Sequence, residues 1–398
     1  METIPSKEID ERIKKLQLKL REKEIEAAII AQNVDLFYFT GTCQKGYLIV
    51  PAQGEPLFLV NKSLKRAQEE SPLANIQFLQ SFRNLPAALQ ENMPHPKKIG
   101  LELDVLPAHL YLRFQKIFPQ AQIVDISMAI RKLRMLKSPY EIEIFRQGAA
   151  IDRQMLDAVP RFLREGKREV EFAAEIECFL RSLGHQGAVR MRQFNQETFY
   201  GHVMSGENLT YPTFFDGPTG GPGLSPAYPQ GPGWKKIHKG EMVLVDYLTV
   251  YQGYCVDSTR FFFLGDNVPE LLQKAHQVTL LIQDEIIKTA KPGVYCSEIY
   301  RLARQLAADS GFKDYFMGHG EDQAPFVGHG VGLELDELPF IADRQDYPLQ
   351  EGMVFALEPK MIIPGLGAAG VENTLLVTDR GLEKITIYPE DIILVEPR

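Results

Sequence analysis

The sequence predicts an α+β protein of two domains, residues 1–135 and residues 136–398. Three observations lead to this prediction. The first part carries short apolar runs typical of buried strands, the second part begins with a helix-start motif, and the second part also contains a weak internal repeat. With 398 residues and 44% hydrophobic content, the chain is long enough to form two hydrophobic cores.

The first domain is predicted to have an α/β fold. Residues 8–23 place apolar side chains at helical spacing among many charges, which predicts an amphipathic surface helix. The apolar runs that follow are short enough to predict buried strands. These runs are residues 27–30, 36–39, 47–50, 56–60, 98–101 and 122–125. No set of catalytic residues is evident in this part of the sequence.

The second domain begins at a motif for the start of a helix. Ser138 and Glu141 have the spacing of a capping box, and Pro139 stands at the first helical position, where its missing N–H costs nothing. A long helix is therefore predicted to run from here to Pro160.

A repeat with an offset of 127 residues, from Gly166 to Gly293, divides the second domain into halves. Each copy frames a helical pattern, at residues 170–183 and 299–310. Another long helical segment precedes each pattern and strand-like sequence follows it. We therefore predict two halves, each with two helices and an antiparallel sheet, related by a pseudo-two-fold axis.

Residues 212–233 contain six prolines and six glycines, a density that excludes a regular helix or a central strand. This segment is predicted to be a loop. A long loop inside a compact domain is either a lid or binding loop, or a solvated excursion at the surface.

Composition excludes several classes of partner. The formal net charge is -8 and no basic run is present, so neither nucleic acid nor a membrane surface is an expected partner. The apolar runs are too short for a membrane helix and the acidic start does not resemble a signal peptide, which predicts a cytoplasmic protein. The four cysteines lack CxxC spacing, which argues against a disulfide framework and a thiolate zinc site.

Two aspartates of the second domain suggest a metal site. Asp246 ends an apolar strand-like run and Asp257 follows eleven residues later, with Gly253 between them to form a turn. A hairpin would bring the two carboxylates together, and their repulsion must then be relieved by a shared proton or a metal. Taken alone, the pair is also compatible with a strand-end cap and a salt bridge from Asp257 to Arg260.

Three more residues extend this set. His329 lies in a glycine-rich stretch, Glu358 ends an apolar strand-like run, and Glu372 begins another. Four acids and one histidine form an oxygen-rich ligand set, which suits Mn, Co, Fe or Zn better than a metal selected by thiolates.

In this order and local context, the five residues resemble the pita-bread metallohydrolases, which include Xaa-Pro aminopeptidases, prolidases, methionine aminopeptidases and the metal-free creatinases. The resemblance covers nearly the whole chain. Residues 1–135 resemble the creatinase-type N-terminal domain, and residues 137–141 resemble the start of the family's catalytic domain. The implied architecture is therefore an N-terminal creatinase-type α/β domain followed by a pita-bread catalytic domain.

The resemblance implies a role for each ligand. Asp246 would chelate one of two divalent ions, Asp257 and Glu372 would bridge both, and His329 and Glu358 would hold the other. The ions would lie about 3.5 to 4 Å apart and acidify a shared water to hydroxide, while Glu358 would shuttle its proton to the leaving nitrogen. The implied protein is a homodimeric Xaa-Pro aminopeptidase or dipeptidase acting on short peptides.

The sequence departs from the family pattern on the substrate side. Asp336 stands where family proteases carry a second histidine, and no histidine lies near Thr213, where another is expected. His202 and His319 are candidate replacements, or else structural histidines, and Asp336 could bind a cationic group of the substrate. These departures leave two alternatives open: a non-peptide C–N hydrolase or lyase acting on a small metabolite, and a binding protein on a retired enzyme fold.

Overall fold

A computed structural model describes residues 3–90 and 96–397. The chain forms two compact units, Met1–Arg134 and Met135–Arg398. The domain boundary after residue 135 stays a prediction. Within the two described ranges, no helix has the length and apolar character needed to cross a membrane.

The first unit contains one mixed sheet with strand order β4-β3-β2-β1-β5-β6. Its strands are β1 (Ala27–Ile30), β2 (Gly46–Pro51), β3 (Leu57–Val60), β4 (Ile76–Phe78), β5 (Lys98–Leu101) and β6 (Gln122–Asp125). Its helices are α1 (Ser6–Glu22), α2 (Asn33–Thr40), α3 (Leu64–Glu70), α4 (Leu85–Gln90), α5 (Ala108–Ile117) and α6 (Ser127–Met135). The predicted α/β character of this region is confirmed.

One predicted strand of the first unit is wrong, because residues 36–39 lie in helix α2. The side chain of Gln32 accepts hydrogen bonds from the backbone N–H groups of Val34 and Asp35, and Gly41 ends the helix in a left-handed conformation. Such capping stabilises a helix independently of its apolar pattern. The apolar run was too short to distinguish a buried helix from a strand.

The second unit contains the remaining helices and strands. Its helices are α7 (Pro139–Phe162), α8 (Glu169–Ser182), α9 (Glu270–Thr289) and α10 (Cys296–Asp309). Its strands are β7 (Gly201–Ser205), β8 (Met242–Tyr251), β9 (Tyr254–Leu264), β10 (Phe326–Gly330), β11 (Glu337–Ala342), β12 (Val354–Leu357), β13 (Lys360–Ile363), β14 (Gly367–Gly370), β15 (Asn373–Thr378), β16 (Gly381–Lys384) and β17 (Ile393–Val395).

The predicted two-fold pattern is present in this unit. Helices α7 and α8 precede the sheet β17-β9-β8-β7, the first sheet of this unit. Helices α9 and α10 precede the sheet β11-β10-β12-β15-β16, the second sheet of this unit. Buried apolar side chains of α7 and α8 pack on strands β7 to β9, and those of α9 and α10 pack on the second sheet. The predicted α+β fold is confirmed.

Helix α7 begins as predicted but ends later than predicted. The Ser138 hydroxyl accepts from the backbone N–H of Glu141, whose carboxylate accepts from the Ser138 N–H. The helix passes Pro160 and ends at Phe162. Pro160 lies in the last turn, where the buried side chains of the preceding turn hold the backbone in helical geometry.

Replacing Ser138 with alanine is expected to destabilise the second unit by about 1 kcal/mol, because the cap hydrogen bond is lost. Urea denaturation followed by far-UV circular dichroism would measure the change. The control is Ser6→Ala, since the exposed Ser6 hydroxyl makes only a 3.4 Å contact with Asp10. Equal stabilities of the two variants would contradict the role of the cap.

Candidate metal centre

The two aspartates lie on one face of the hairpin formed by β8 and β9. Asp246 is paired with Thr259, and Asp257 is paired with Leu248. Residues two apart on a strand share a face, so both carboxylates point to the same side. Asp246 lies in the middle of β8 rather than at its end, where it was predicted. His202 of β7 is paired with Asp246 and shares this face.

The second sheet supplies the other three predicted ligands. His329 lies in β10 opposite Ala356 of β12, so that Glu358 follows directly after β12. Glu372 immediately precedes β15 and forms an isolated bridge with Thr259 of the first sheet. This bridge brings the two sheets together at the ligand residues.

All five predicted ligands line one cleft. One ligand atom each from Asp257, His329 and Glu372 lie within 4.8 Å of one another. The Oδ1 atom of Asp257 is buried and has no hydrogen-bond partner. A buried carboxylate oxygen without a partner is costly, and a cation would relieve this cost. These three residues therefore fit a divalent ion.

In the absence of such an ion, the acids of the cleft raise one another's pKa. Burial, followed by Glu372, Asp246 and Glu358, raises the pKa of Asp257 well above its ordinary value. Burial likewise raises the pKa of Glu372 to about 7. Closely spaced carboxylates in a buried site need positive charge to remain ionised together.

The alternative of a salt bridge from Asp257 to Arg260 is not what the structure shows. The Arg260 side chain donates to the carbonyl oxygens of Thr259, Glu372 and Pro389 and to the side chain of Asn373. It lies on the opposite face of β9 from Asp257. Arg260 therefore holds the strands that carry the ligands and leaves Asp257 without a cationic partner on its own strand.

The structure adds a residue that the sequence analysis missed, Lys360, at the start of β13. Its Nζ lies 2.8 Å from Glu358 Oε2, 3.1 Å from Asp246 Oδ2 and 3.1 Å from Glu372 Oε2. Burial lowers the pKa of Lys360, but the three carboxylates outweigh this effect and raise it well above its ordinary value. The signal in the sequence is a lysine two residues after Glu358, at the start of the apolar run 361–363.

Asp336 lines the cleft and also contacts His329. Its Oδ1 lies 3.3 Å from His329 Nδ1, while His329 Nε2 faces Asp257 Oδ2 at 3.7 Å and Glu358 Oε1 at 3.6 Å. Burial lowers the pKa of His329, but Asp336, Glu358 and Glu372 outweigh it and raise the pKa. A carboxylate on the second ring nitrogen is the usual arrangement for a histidine that binds metal.

Replacing Asp336 with asparagine is expected to weaken metal binding by about 10- to 100-fold, because His329 loses the charge that orients its ring. Asp336 has a φ of 62°, in the left-handed region of backbone conformation, and asparagine adopts this region more readily than most residues. Calorimetric titration with Mn²⁺ would measure the affinity, with the exposed Asp309→Asn as control. An unchanged affinity would show that Asp336 does not act through His329.

The substrate-side candidates separate into residues in the cleft and residues outside it. His202 lines the cleft, and its buried Nε2 has no hydrogen-bond partner, unlike a structural strand histidine. Thr213 instead donates to the Pro229 carbonyl and lies outside the lining of this cleft. His319 is exposed, stacks on Tyr315 and is also outside this lining. The structure therefore brings His202, but not His319, to the ligands.

The glycine- and proline-rich segment 212–233 contains no regular helix or strand, as predicted. Part of it, residues 215–219, lines the cleft beside the ligands. Its Thr219 hydroxyl is buried and donates to the Leu209 carbonyl, which holds this part of the segment against the turn that follows β7. Of the two interpretations of this loop, the structure favours a binding loop.

Comparison with known proteins identifies the family. A model of the creatinase/prolidase N-terminal domain matches residues 12–136, and the model of metallopeptidase family M24 matches residues 143–379. The chain belongs to metallopeptidase family M24. The matched family is one of metallopeptidases, so the predicted family and the predicted hydrolase activity are both confirmed.

Several relatives of this M24 peptidase match along nearly its whole length. An Xaa-Pro dipeptidase from Pyrococcus furiosus is 29% identical over 385 residues, which cover 96% of this chain and 99% of the relative. The solved structure of an Xaa-Pro dipeptidase from Bacillus anthracis is 26% identical, covers 97% of this chain and 100% of that chain, and has a TM-score of 0.83. A prolidase from Pyrococcus horikoshii OT3 is 26% identical, covers 95% of this chain and 99% of that chain, and has a TM-score of 0.79.

Proposed function

We propose that this M24 peptidase is an Xaa-Pro dipeptidase that uses divalent metal. The observation that carries the proposal is the convergence of Asp257, His329 and Glu372 on one point of a buried cleft. Two relatives that match along nearly the whole chain are Xaa-Pro dipeptidases, which supports the same substrate class for this chain. A bound divalent ion would polarise the scissile carbonyl and lower the pKa of water.

The surrounding residues have roles that follow from their positions. Glu358 lines the cleft next to His329 and is proposed to accept the proton of the attacking water and to pass it to the leaving nitrogen. His202 is proposed to hydrogen-bond the substrate through Nε2, which lacks a protein partner. Burial lowers the pKa of His202, so its ring is neutral near pH 7 and can offer one donor and one acceptor.

Activity measurements with paired dipeptides test the proposal. With Mn²⁺, Co²⁺ or Zn²⁺ added, a dipeptide with proline after the scissile bond is expected to be cleaved at least ~10-fold faster than the dipeptide with alanine there. A chelator is expected to abolish both reactions, and the added ion to restore them. A protein that binds the ion tightly but cleaves neither dipeptide would contradict the proposal.

Three finer features accompany this proposal. The native ion is proposed to be Mn, Co, Zn or Fe, because the ligands are carboxylates and one imidazole. We also propose that the protein is a homodimer located in the cytoplasm, which sedimentation analysis and cell fractionation would test. The predicted number of two ions depends on Lys360.

A further inference from the structure

We propose that the ammonium group of Lys360 takes the place of one of the two expected metal ions, so that the centre holds a single divalent ion. This inference rests on the proposed metal-dependent function and changes the composition of its centre. The remaining ion would be held by Asp257, His329 and Glu372. Asp246 would then accept a hydrogen bond from the ammonium group instead of binding a metal ion.

The hydrogen bonds of Lys360 support this assignment. A lysine ammonium carries three N–H donors. Each of the three has its own carboxylate acceptor at 2.8 to 3.1 Å, in Glu358, Asp246 and Glu372. All three acceptors belong to the ligand set that the resemblance assigned to two ions. All three N–H groups of the ammonium are thus hydrogen-bonded to carboxylates of the centre.

A second ion does not fit beside this ammonium. An ion bound by these carboxylates would lie about 2.0 to 2.2 Å from their oxygens. The oxygen atoms Asp246 Oδ2, Glu358 Oε2 and Glu372 Oε2 already face Nζ, so an ion that used them would have to displace the ammonium.

Strands β13 and β14 leave room for the side chain of Lys360. Lys360 of β13 is paired with Gly370 of β14. A Cβ atom at position 370 would come within 2.8 Å of Lys360 Cγ, so a side chain there would collide with the stem of the lysine. The lysine side chain is buried. The absence of a side chain at Gly370 therefore leaves room for the conformation that places Nζ in the centre.

Charge balance is compatible with one ion. Asp246, Asp257, Glu358 and Glu372 bring four negative charges when ionised. One ammonium and one divalent ion bring three positive charges, which leaves the centre close to neutral.

Metal stoichiometry tests the inference directly. The full-length protein and the variant Lys360→Met are loaded with Mn²⁺ and desalted, and metal per chain is measured by mass spectrometry with inductively coupled plasma. We expect one ion per chain in the wild type and two in the variant, in which the carboxylates are released. Lys167→Met is the matched control, because Lys167 pairs with Glu175 and does not line the cleft.

Each other outcome overturns the inference. Two ions in the wild type would show that a second ion displaces the ammonium. The proposed peptidase function would not be affected by that result. One ion in both proteins would show that Lys360 does not exclude the second ion. No ion in the wild type would remove the proposed metal-dependent function as well.

A second variant keeps the test decisive if Lys360→Met fails to fold. Asp246→Asn removes a partner of the ammonium but no ligand of the proposed single ion. Calorimetric titration with Mn²⁺ is therefore expected to show one site whose affinity falls by less than the ~10-fold typical of a lost supporting contact. A larger loss of affinity, or the loss of a second site, would assign Asp246 to a metal and overturn the inference.

Discussion

Replacing Glu358 with glutamine is expected to lower kcat for an Xaa-Pro dipeptide by about 10²- to 10⁴-fold, the usual contribution of a general acid–base residue. Glutamine has nearly the same shape, and its carbonyl oxygen can still accept from Lys360 Nζ, which lies 2.8 Å from Glu358 Oε2. It cannot take a proton from the attacking water. The loss should therefore appear in kcat and not in folding.

Steady-state kinetics, combined with the metal content of the same samples, would check this result. The control is Glu383→Gln, because Glu383 forms a half-exposed ion pair with Arg146 and does not line the cleft. A metal-loaded Glu358→Gln enzyme with a kcat near that of the wild type would refute proton transfer by Glu358. Loss of the ion from this variant would instead assign Glu358 to metal binding.

Much of the fold could be predicted from the sequence because the relevant signals are local. The capping box at Ser138 fixes the start of α7, and the continuous apolar run at residues 242–245 marks β8. The hairpin between Asp246 and Asp257 follows from the turn at Gly253. Each of these features lies within a short stretch of chain.

What the sequence could not predict depends on contacts between distant segments. Lys360 reaches Asp246 only because the strand that follows Glu358 passes beside the hairpin of the first sheet. No spacing rule links positions 114 residues apart. The contact of Asp336 with His329 likewise depends on the irregular pairing of β10 and β11, while its predicted role towards the substrate stays a prediction.

A buried aspartate behind the metal centre is expected to make stability depend on pH. Asp152 of α7 accepts hydrogen bonds from the Ser258 and Thr249 hydroxyls. Burial raises its pKa from 3.8 to about 6, although these hydroxyls and Arg260 oppose the change. The folded protein therefore keeps this proton at pH values where the unfolded chain has already released it.

The sign of the effect follows from proton linkage. Between pH 4 and pH 6 the folded state binds more protons at Asp152 than the unfolded state, so the free energy of unfolding falls as pH rises. A pKa difference of this size costs roughly 3 kcal/mol once the carboxylate is ionised, and the cost stays constant above pH 6. Below pH 4 the cost is absent because both states hold the proton.

Asp152→Asn is therefore expected to become more stable relative to the wild type by roughly 2 kcal/mol between pH 4 and pH 6.5. The amide cannot ionise, and the two hydroxyls can rotate to suit it, so any packing cost of the substitution is the same at every pH. Urea denaturation of both proteins across this range would measure the difference, with the exposed Asp309→Asn as control. A difference that does not change with pH would show that Asp152 is ionised in the folded protein as readily as in the unfolded chain.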